Sequence, residues 1–250
     1  MREALLRLAG RALAPFLLDE SRCPSCGRAW SRPPGASGSL CPDCLAGHAP
    51  PAGAACPGCG ARPAVPQPAP LTCGECLRSP RPWGRLLAAG PYDGRLRAMI
   101  LAYKFEGRLD FGRQLQELLL AAFERGLDDF PELAACDVIV PVPLHPRRLL
   151  SRGFNQSREA ARLLSARRGL PIAAEALRRV RRTVPQMLLG AAERVENIRG
   201  AFAARRELVA GRSALLVDDI MTTGATLEEC ARTLAAAGAA RVDVLVLARA

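Results

Sequence analysis

Two adjacent carboxylates, Asp218 and Asp219, are separated from Thr222-Thr-Gly-Ala-Thr226 only by Ile220 and Met221. The loop has the composition of an anion cradle. Gly224 permits close approach of the backbone, the threonines add hydroxyl donors, and a helix starting near Thr226 would turn its first amides toward an anion. Two carboxylates beside a phosphate would repel it unless they face something that donates hydrogen bonds, such as a sugar diol or a sugar bound to Mg²⁺. The pattern therefore reads as a sugar-phosphate site, with the diol on Asp218 and Asp219 and the phosphate on Thr222, Thr223, Gly224, Ala225 and Thr226. The apolar run 214–217 predicts a buried strand that ends at the two acids, followed by a turn over 221–225. From Thr226 the spacing becomes helical, with Leu227, Cys230 and Leu234 on one face and Gly238 as a stop. A strand that reverses into a helix in this way builds a crevice at the C-terminal edge of a sheet. No G-x-x-x-x-G-K-[ST] occurs, which argues against a P-loop ATPase.

The second concentration of chemistry is in cysteine. Cys23-Pro-Ser-Cys26, Cys41-Pro-Asp-Cys44, Cys56-Pro-Gly-Cys59 and Cys73-Gly-Glu-Cys76 are four C-x₂-C pairs. Two intervening residues let both sulfurs of a pair reach one tetrahedral Zn²⁺, and two pairs complete a closed site. The fourteen residues between Cys26 and Cys41, and the thirteen between Cys59 and Cys73, match zinc-ribbon spacing. Neighbouring pairs are expected to share a metal, an interleaved arrangement being the alternative. The regular pairs, in a chain without a secretory leader pattern, argue against disulfides. Four copies argue against a redox motif. The segment has too few apolar residues to fold without its metal. Arg22, Arg28, Arg32 and Trp30 could contact nucleic acid or form a solvated rim.

The formal charge is +11, and Lys104 is the only lysine among 35 basic residues. Total basicity in so Arg- and Ala-rich a chain says little about nucleic acid. Its distribution says more, because Arg147, Arg148, Arg152, Arg158, Arg178, Arg179, Arg181 and Arg182 crowd one segment, as a polyanionic ligand requires. That segment follows an expected strand over 138–140, which Pro141 ends because proline cannot donate to a central ladder. Rigid backbone at Val142 followed by Arg147 would receive a pyrophosphate, with a helix beginning near Asn155. Lys104 stands out as a compact ammonium retained among arginines. His145 reads as an orienting group, and Cys136 and Cys230 as packed thiols.

At 250 residues the chain holds one medium α/β domain and a small module. The expected organisation is an amphipathic helix over 1–20, a double zinc ribbon over 21–80, a stiff linker at Pro80-Arg-Pro-Trp83, and the α/β domain over 81–250. No apolar run is long enough to span a membrane. Arg7 and Arg11 interrupt any secretory core, so a cytoplasmic protein is expected.

The Asp218–Thr226 stretch resembles the ribose-phosphate motif of type I phosphoribosyltransferases, which bind 5-phosphoribosyl-1-pyrophosphate (PRPP). The order of the four cysteine pairs, Tyr103-Lys-Phe-Glu-Gly-Arg108, Pro141-Val-Pro-Leu144 near Arg152-Gly-Phe-Asn-Gln156, and the acidic loop is similar to the ComF family over nearly the whole chain. The resemblance implies a type I phosphoribosyltransferase fold, PRPP bound with Mg²⁺, and a flap over 179–202 that closes on the substrate. It also implies two structural Zn²⁺ and a role in DNA uptake during natural transformation, alongside competence-machinery proteins. Asp218 and Asp219 would then be catalytic, and Val142, Arg147 and Lys104 would join the loop in holding PRPP. Two functions follow from different classes: a phosphoribosyltransferase, or a non-catalytic module that binds single-stranded nucleic acid and uses PRPP or phosphate as a ligand.

Overall fold

The computed structural model describes residues 20–31, 38–50, 53–181, 183 and 191–250. The helix expected over 1–20 lies outside these, except for its last residue. The chain divides into two compact units, Met1–Gly47 and His48–Ala250. The boundary expected at 80/81 falls inside the second unit.

In the first unit, strands β1 (Glu20–Arg22) and β2 (Ala29–Ser31) pair antiparallel around the first cysteine turn, and Cys41 immediately precedes helix α1 (Pro42–His48). The second unit opens with the third and fourth cysteine pairs and the short helix α2 (Gly74–Arg78). Strand β3 (Leu86–Pro91), helices α3 (Gly94–Phe105) and α4 (Gly112–Asp129) and strand β4 (Val138–Pro141) follow. Next come three short helices, α5 (Pro146–Arg152), α6 (Gln156–Ala160) and α7 (Arg162–Arg168), and a two-stranded antiparallel ribbon of β5 (Leu177–Arg179) and β6 (Phe202–Ala204). Helix α8 (Ala191–Ile198) lies within the ribbon's excursion, in which 182 and 184–190 are outside the described residues. Helix α9 (Arg206–Val209), strand β7 (Ser213–Met221), helix α10 (Ala225–Ala236) and strand β8 (Arg241–Arg249) complete the unit.

The main sheet is all parallel in the order β3-β8-β7-β4. A parallel sheet needs a crossover between neighbouring strands and cover on both faces. Its central strands accordingly read as continuous apolar runs, with Ala214, Leu215, Leu216, Val217, Val244, Leu245 and Val246 fully buried. Helix α4 turns Leu115, Leu118, Leu119, Ala122, Phe123 and Gly126 inward, a spacing of three and four residues that keeps them on one stripe. Gly126 is required there, because a Cβ would lie 2.6 Å from Leu87 Cδ1. This is the expected α/β class.

The strand carrying the acids is longer than its composition suggests. Asp218 and Asp219 do not end β7. The ladder continues through them, with Asp218 opposite Val246, Ile220 opposite Ala248 and Met221 opposite Arg249. Pairing with β8 overrides the low strand propensity of two aspartates. Helix α10 starts at Ala225 rather than Thr226, and the basic stretch after Pro141 contains helix α5.

Pro80–Trp83 is not a free linker. Trp83 is buried and its Nε1 donates to Gly58 O at 2.7 Å, so it is not available to stack on bases. Leu86 N donates to Pro57 O at 2.8 Å, and Arg249 Nε to Cys59 O at 2.8 Å. Cys56, Cys59 and Cys76 belong to the same apolar cluster as Leu86, Met221, Ala225 and Leu227.

Candidate functional site

The two acids face differently equipped neighbours. Asp218 Oδ1 accepts from the Ser157 hydroxyl at 2.9 Å and from Asp219 N at 2.9 Å. Asp219 Oδ2 pairs with Lys104 Nζ at 2.6 Å, both side chains being largely covered. Burial raises the Asp218 carboxyl to about 7, helped by the adjacent Asp219; the Asp219 amide, the Ser157 hydroxyl and Lys104 pull the other way. One acid of the pair is thus close to sharing its proton at neutral pH.

Ser157 reaches Asp218 because Asn155 fixes the start of α6. The Asn155 side chain accepts from Ser157 N at 3.0 Å and Arg158 N at 3.3 Å, an N-cap, while its Nδ2 donates to Val142 O at 3.0 Å. Val142 N donates to Val217 O at 2.9 Å. Both peptide groups of Val142 are therefore engaged, and the residue locks the end of β4 against β7. His145 O accepts from Arg148 N and Leu149 N and so starts α5. The side chain of Arg147 lies outside the described ones.

Beyond β7 the loop closes quickly. Gly224 has φ +87° and stands at the N-cap of α10 with no side-chain cap. The left-handed φ is what calls for glycine here; an added Cβ would also meet the terminal methyl of Met221 at 2.8 Å. Ala225 N reaches Thr223 Oγ1 at only 3.5 Å. Thr222 is exposed and Thr223 and Thr226 are half-buried.

Two arginines lie within electrostatic reach of the acids, and Arg148 stands near both of them. Arg152 is half-buried, with its guanidinium over the Phe105 ring at 4.9 Å, and Arg179 likewise over Phe202 at 5.4 Å. Burial lowers the pKa of Arg152, with Asp219 opposing that shift and Arg148 adding to it. Burial also lowers that of Arg179, reinforced by Arg148 and opposed by Asp218. Like charges crowded in a partly dry setting are what an anionic ligand relieves. The arginines of this segment do not all share that role. Arg158 and Arg178 are exposed, and Arg181 donates to Asn197 O and Arg199 O.

The cysteines group as neighbouring pairs: Cys23, Cys26, Cys41 and Cys44 in one cluster, Cys56, Cys59, Cys73 and Cys76 in the other, each with its sulfurs within 4.8 Å of one another. Sulfurs about 2.3 Å from a common tetrahedral ion stand ~3.8 Å apart, and Cys26–Cys41 at 3.9 Å and Cys59–Cys73 at 3.6 Å fit that edge. The two clusters repeat one local geometry. Cys23 N donates to Arg28 O and Gly27 N to Cys23 O, while Cys56 N donates to Ala61 O and Gly60 N to Cys56 O. Amides also approach sulfur in the same way, Cys41 N to Cys23 Sγ at 3.5 Å and Cys73 N to Cys56 Sγ at 3.3 Å. Such donors suit thiolates, so both donor sets fit Zn²⁺. Cys136 and Cys230 are buried, and burial raises their thiols, Cys136 to about 12.

Of the residues singled out in the sequence, the structure brings Lys104 onto Asp219 and groups the eight paired cysteines in two clusters. The sequence did not point to Ser157, nor to Arg81 and Glu228, which meet in an ion pair beside the loop. The only local signal was the capping Asn155 two residues before Ser157.

A parallel sheet with paired acids and a glycine-threonine loop at its C-terminal edge defines a phosphoribosyltransferase domain, and the family model described as "Phosphoribosyl transferase domain" matches residues 165–250. The chain is 39% identical over 200 residues to DNA utilization protein YhgH of Salmonella typhimurium, covering 78% of this chain and 83% of that protein. To the Escherichia coli K12 protein of the same name it is 40% identical over 195 residues, with the same coverage. Competence protein F of Haemophilus influenzae is 33% identical over 180 residues, 71% of this chain and 78% of that one. The chain belongs to the ComF family, which these proteins represent.

Proposed function

We propose that the second unit binds PRPP with Mg²⁺ and transfers its phosphoribosyl group, in the service of DNA uptake or use. The observation that carries this reading is the adjacency, around the end of β7, of diol acceptors, an uncapped glycine-led helix start and crowded arginines. Asp218 and Asp219 accept the ribose hydroxyls. The 222–226 loop holds the 5-phosphate with amides and hydroxyls, and Arg148, Arg152 and Arg179 receive the pyrophosphate, with Arg147 on the helix that carries Arg148 and Arg152. Mg²⁺, when bound, supplies charge neutralisation on the leaving group. Cleavage of the C1–O bond leaves positive charge on the ribose ring and negative charge on pyrophosphate. Prepositioned guanidinium groups stabilise the latter by a few kcal/mol per good contact. Lys104 neutralises Asp219 until the ligand arrives. In each cysteine cluster the four thiolates would hold one structural Zn²⁺. The link to DNA rests on the names of the relatives, and single-stranded DNA and competence proteins are the partners it suggests.

Calorimetry with PRPP and Mg²⁺ tests the site. Replacing Asp218 and Asp219 together with Ala should weaken binding by about 3 kcal/mol, roughly a hundredfold. Unchanged affinity in that variant would remove the assignment. Pyrophosphate release, screened over nucleobases and DNA, then identifies the acceptor.

A further inference from the structure

The residues between the second cysteine cluster and the sheet make a strut onto the loop. Arg81 Nη2 pairs with Glu75 Oε1 at 2.8 Å, and Arg81 Nη1 with Glu228 Oε1. Glu75 lies in α2, between Cys73 and Cys76, so cysteines of the second cluster fix its position. Glu228 lies in the first turn of α10 and also accepts from Arg232 at 3.0 Å. The guanidinium itself reaches the loop. A Cβ on Gly224 would lie 3.7 Å from Arg81 Nη1 and 3.6 Å from Trp83 Cη2. Only 12% of the Arg81 side chain is exposed.

Glu228 is an electrostatic liability where it stands. A carboxylate in the first turn is favourable for a bare helix, yet it opposes an anion bound at that same N-terminus. A largely buried guanidinium against it removes the conflict, and holds the turn in place through a charge-assisted contact.

We propose that Arg81 is a positioning residue through which the Cys56–Cys59–Cys73–Cys76 site holds the 222–226 loop and neutralises Glu228. Phosphate binding then depends on the second cysteine cluster and not on the first. This inference rests on the reading of 222–226 as the phosphate cradle, but its first test does not need the ligand.

That test is amide hydrogen exchange on the full zinc-loaded chain. Arg81→Ala should speed exchange over 222–228 at least tenfold and leave the buried amides of β7 and β8 protected, with its zinc content equal to that of the wild type. Cys76→Ser should reproduce the local acceleration, and Cys44→Ser should not. PRPP calorimetry supplies the second readout. Arg81→Ala should weaken binding at least tenfold, and adding Glu228→Gln in the same chain should restore most of it, because the carboxylate, left with only the exposed Arg232 against it, is gone. A merely structural arginine predicts no recovery. If Arg81→Ala fails to fold, Glu75→Gln and Arg81→Lys, which each loosen one end of the strut, take its place. Unchanged exchange over 222–228 in a folded Arg81 variant, or no recovery in the double variant, overturns the proposal. Absence of PRPP binding in the wild type overturns the functional reading instead, and leaves the exchange result to decide the strut.

Discussion

Asp218 is held in the folded protein at a cost. Its folded value near 7 stands above the ordinary 3.8, so over roughly pH 4–7 the folded chain keeps a proton that the unfolded chain has released. Its contribution to stability is therefore greatest below about pH 4 and is lost as pH rises through about 7. Asp218→Asn keeps an oxygen to accept from Ser157 and from the Asp219 amide while shedding the charge. It should stabilise the protein relative to wild type by on the order of 1–3 kcal/mol at pH 8, and by less at pH 6. Urea unfolding at the two pH values measures this. The same variant should bind PRPP more weakly, a trade of stability against function. Lys104 makes the complementary case. Lys104→Ala leaves Asp219 covered and unpaired, and should cost about 3 kcal/mol; Asp219→Asn in the same chain should return most of it. A measured cost near zero would mean that water reaches Asp219 freely.

At the scale of elements, the two cysteine clusters have the same local geometry but different surroundings. Cys23→Ser should unfold only the first unit. Cys56→Ser opens a site whose sulfurs are part of the core beneath β3 and α10, and should lower the melting temperature of the second unit by several degrees or more. Calorimetric scans of the two variants distinguish these outcomes. The contrast also marks what the sequence made legible. The cysteine spacing announced two equal sites, and the periodicity from Thr226 announced a helix with Leu227, Cys230 and Leu234 on its buried face. Proline around Arg81 and Trp83 announced a linker, because their partners Glu228 and Gly58 are specified elsewhere in the chain. The acids of β7 announced a strand end, because nothing local shows that Val246 and Ala248 will continue the ladder. Ser157 was hidden for the same reason, lying 61 residues from the carboxylate it serves. Local chemistry was readable, and contacts across the sheet were not.

For the whole molecule, the charge of +11 sets an expectation about polyanions. Among the described side chains, however, the clustered arginines divide between the acid site and open surface. Any affinity for single-stranded DNA should therefore be sequence-tolerant and electrostatic, falling at least tenfold between about 0.05 and 0.2 M salt. Fluorescence anisotropy with an oligonucleotide follows it, and no binding at about 0.15 M would confine the ligand to small molecules. No helix of the described residues is long and apolar enough to cross a membrane.

The hydrogen bond from Arg249 to Cys59 spans 190 residues, and it has a consequence in time as well as space. At ~5–20 residues per second, Cys59 leaves the ribosome roughly 10–40 s before the arginine that will cover its carbonyl. During that interval β3 has no β8 beside it, and Glu75 and Arg81 have no Glu228. On the proposed zinc reading, the order of the Cys56–Cys76 segment during that interval comes from its own four sulfurs and the Zn²⁺ they would hold. Metal supply during synthesis would accordingly decide whether the first-made part of the second unit is ready when its last strand arrives.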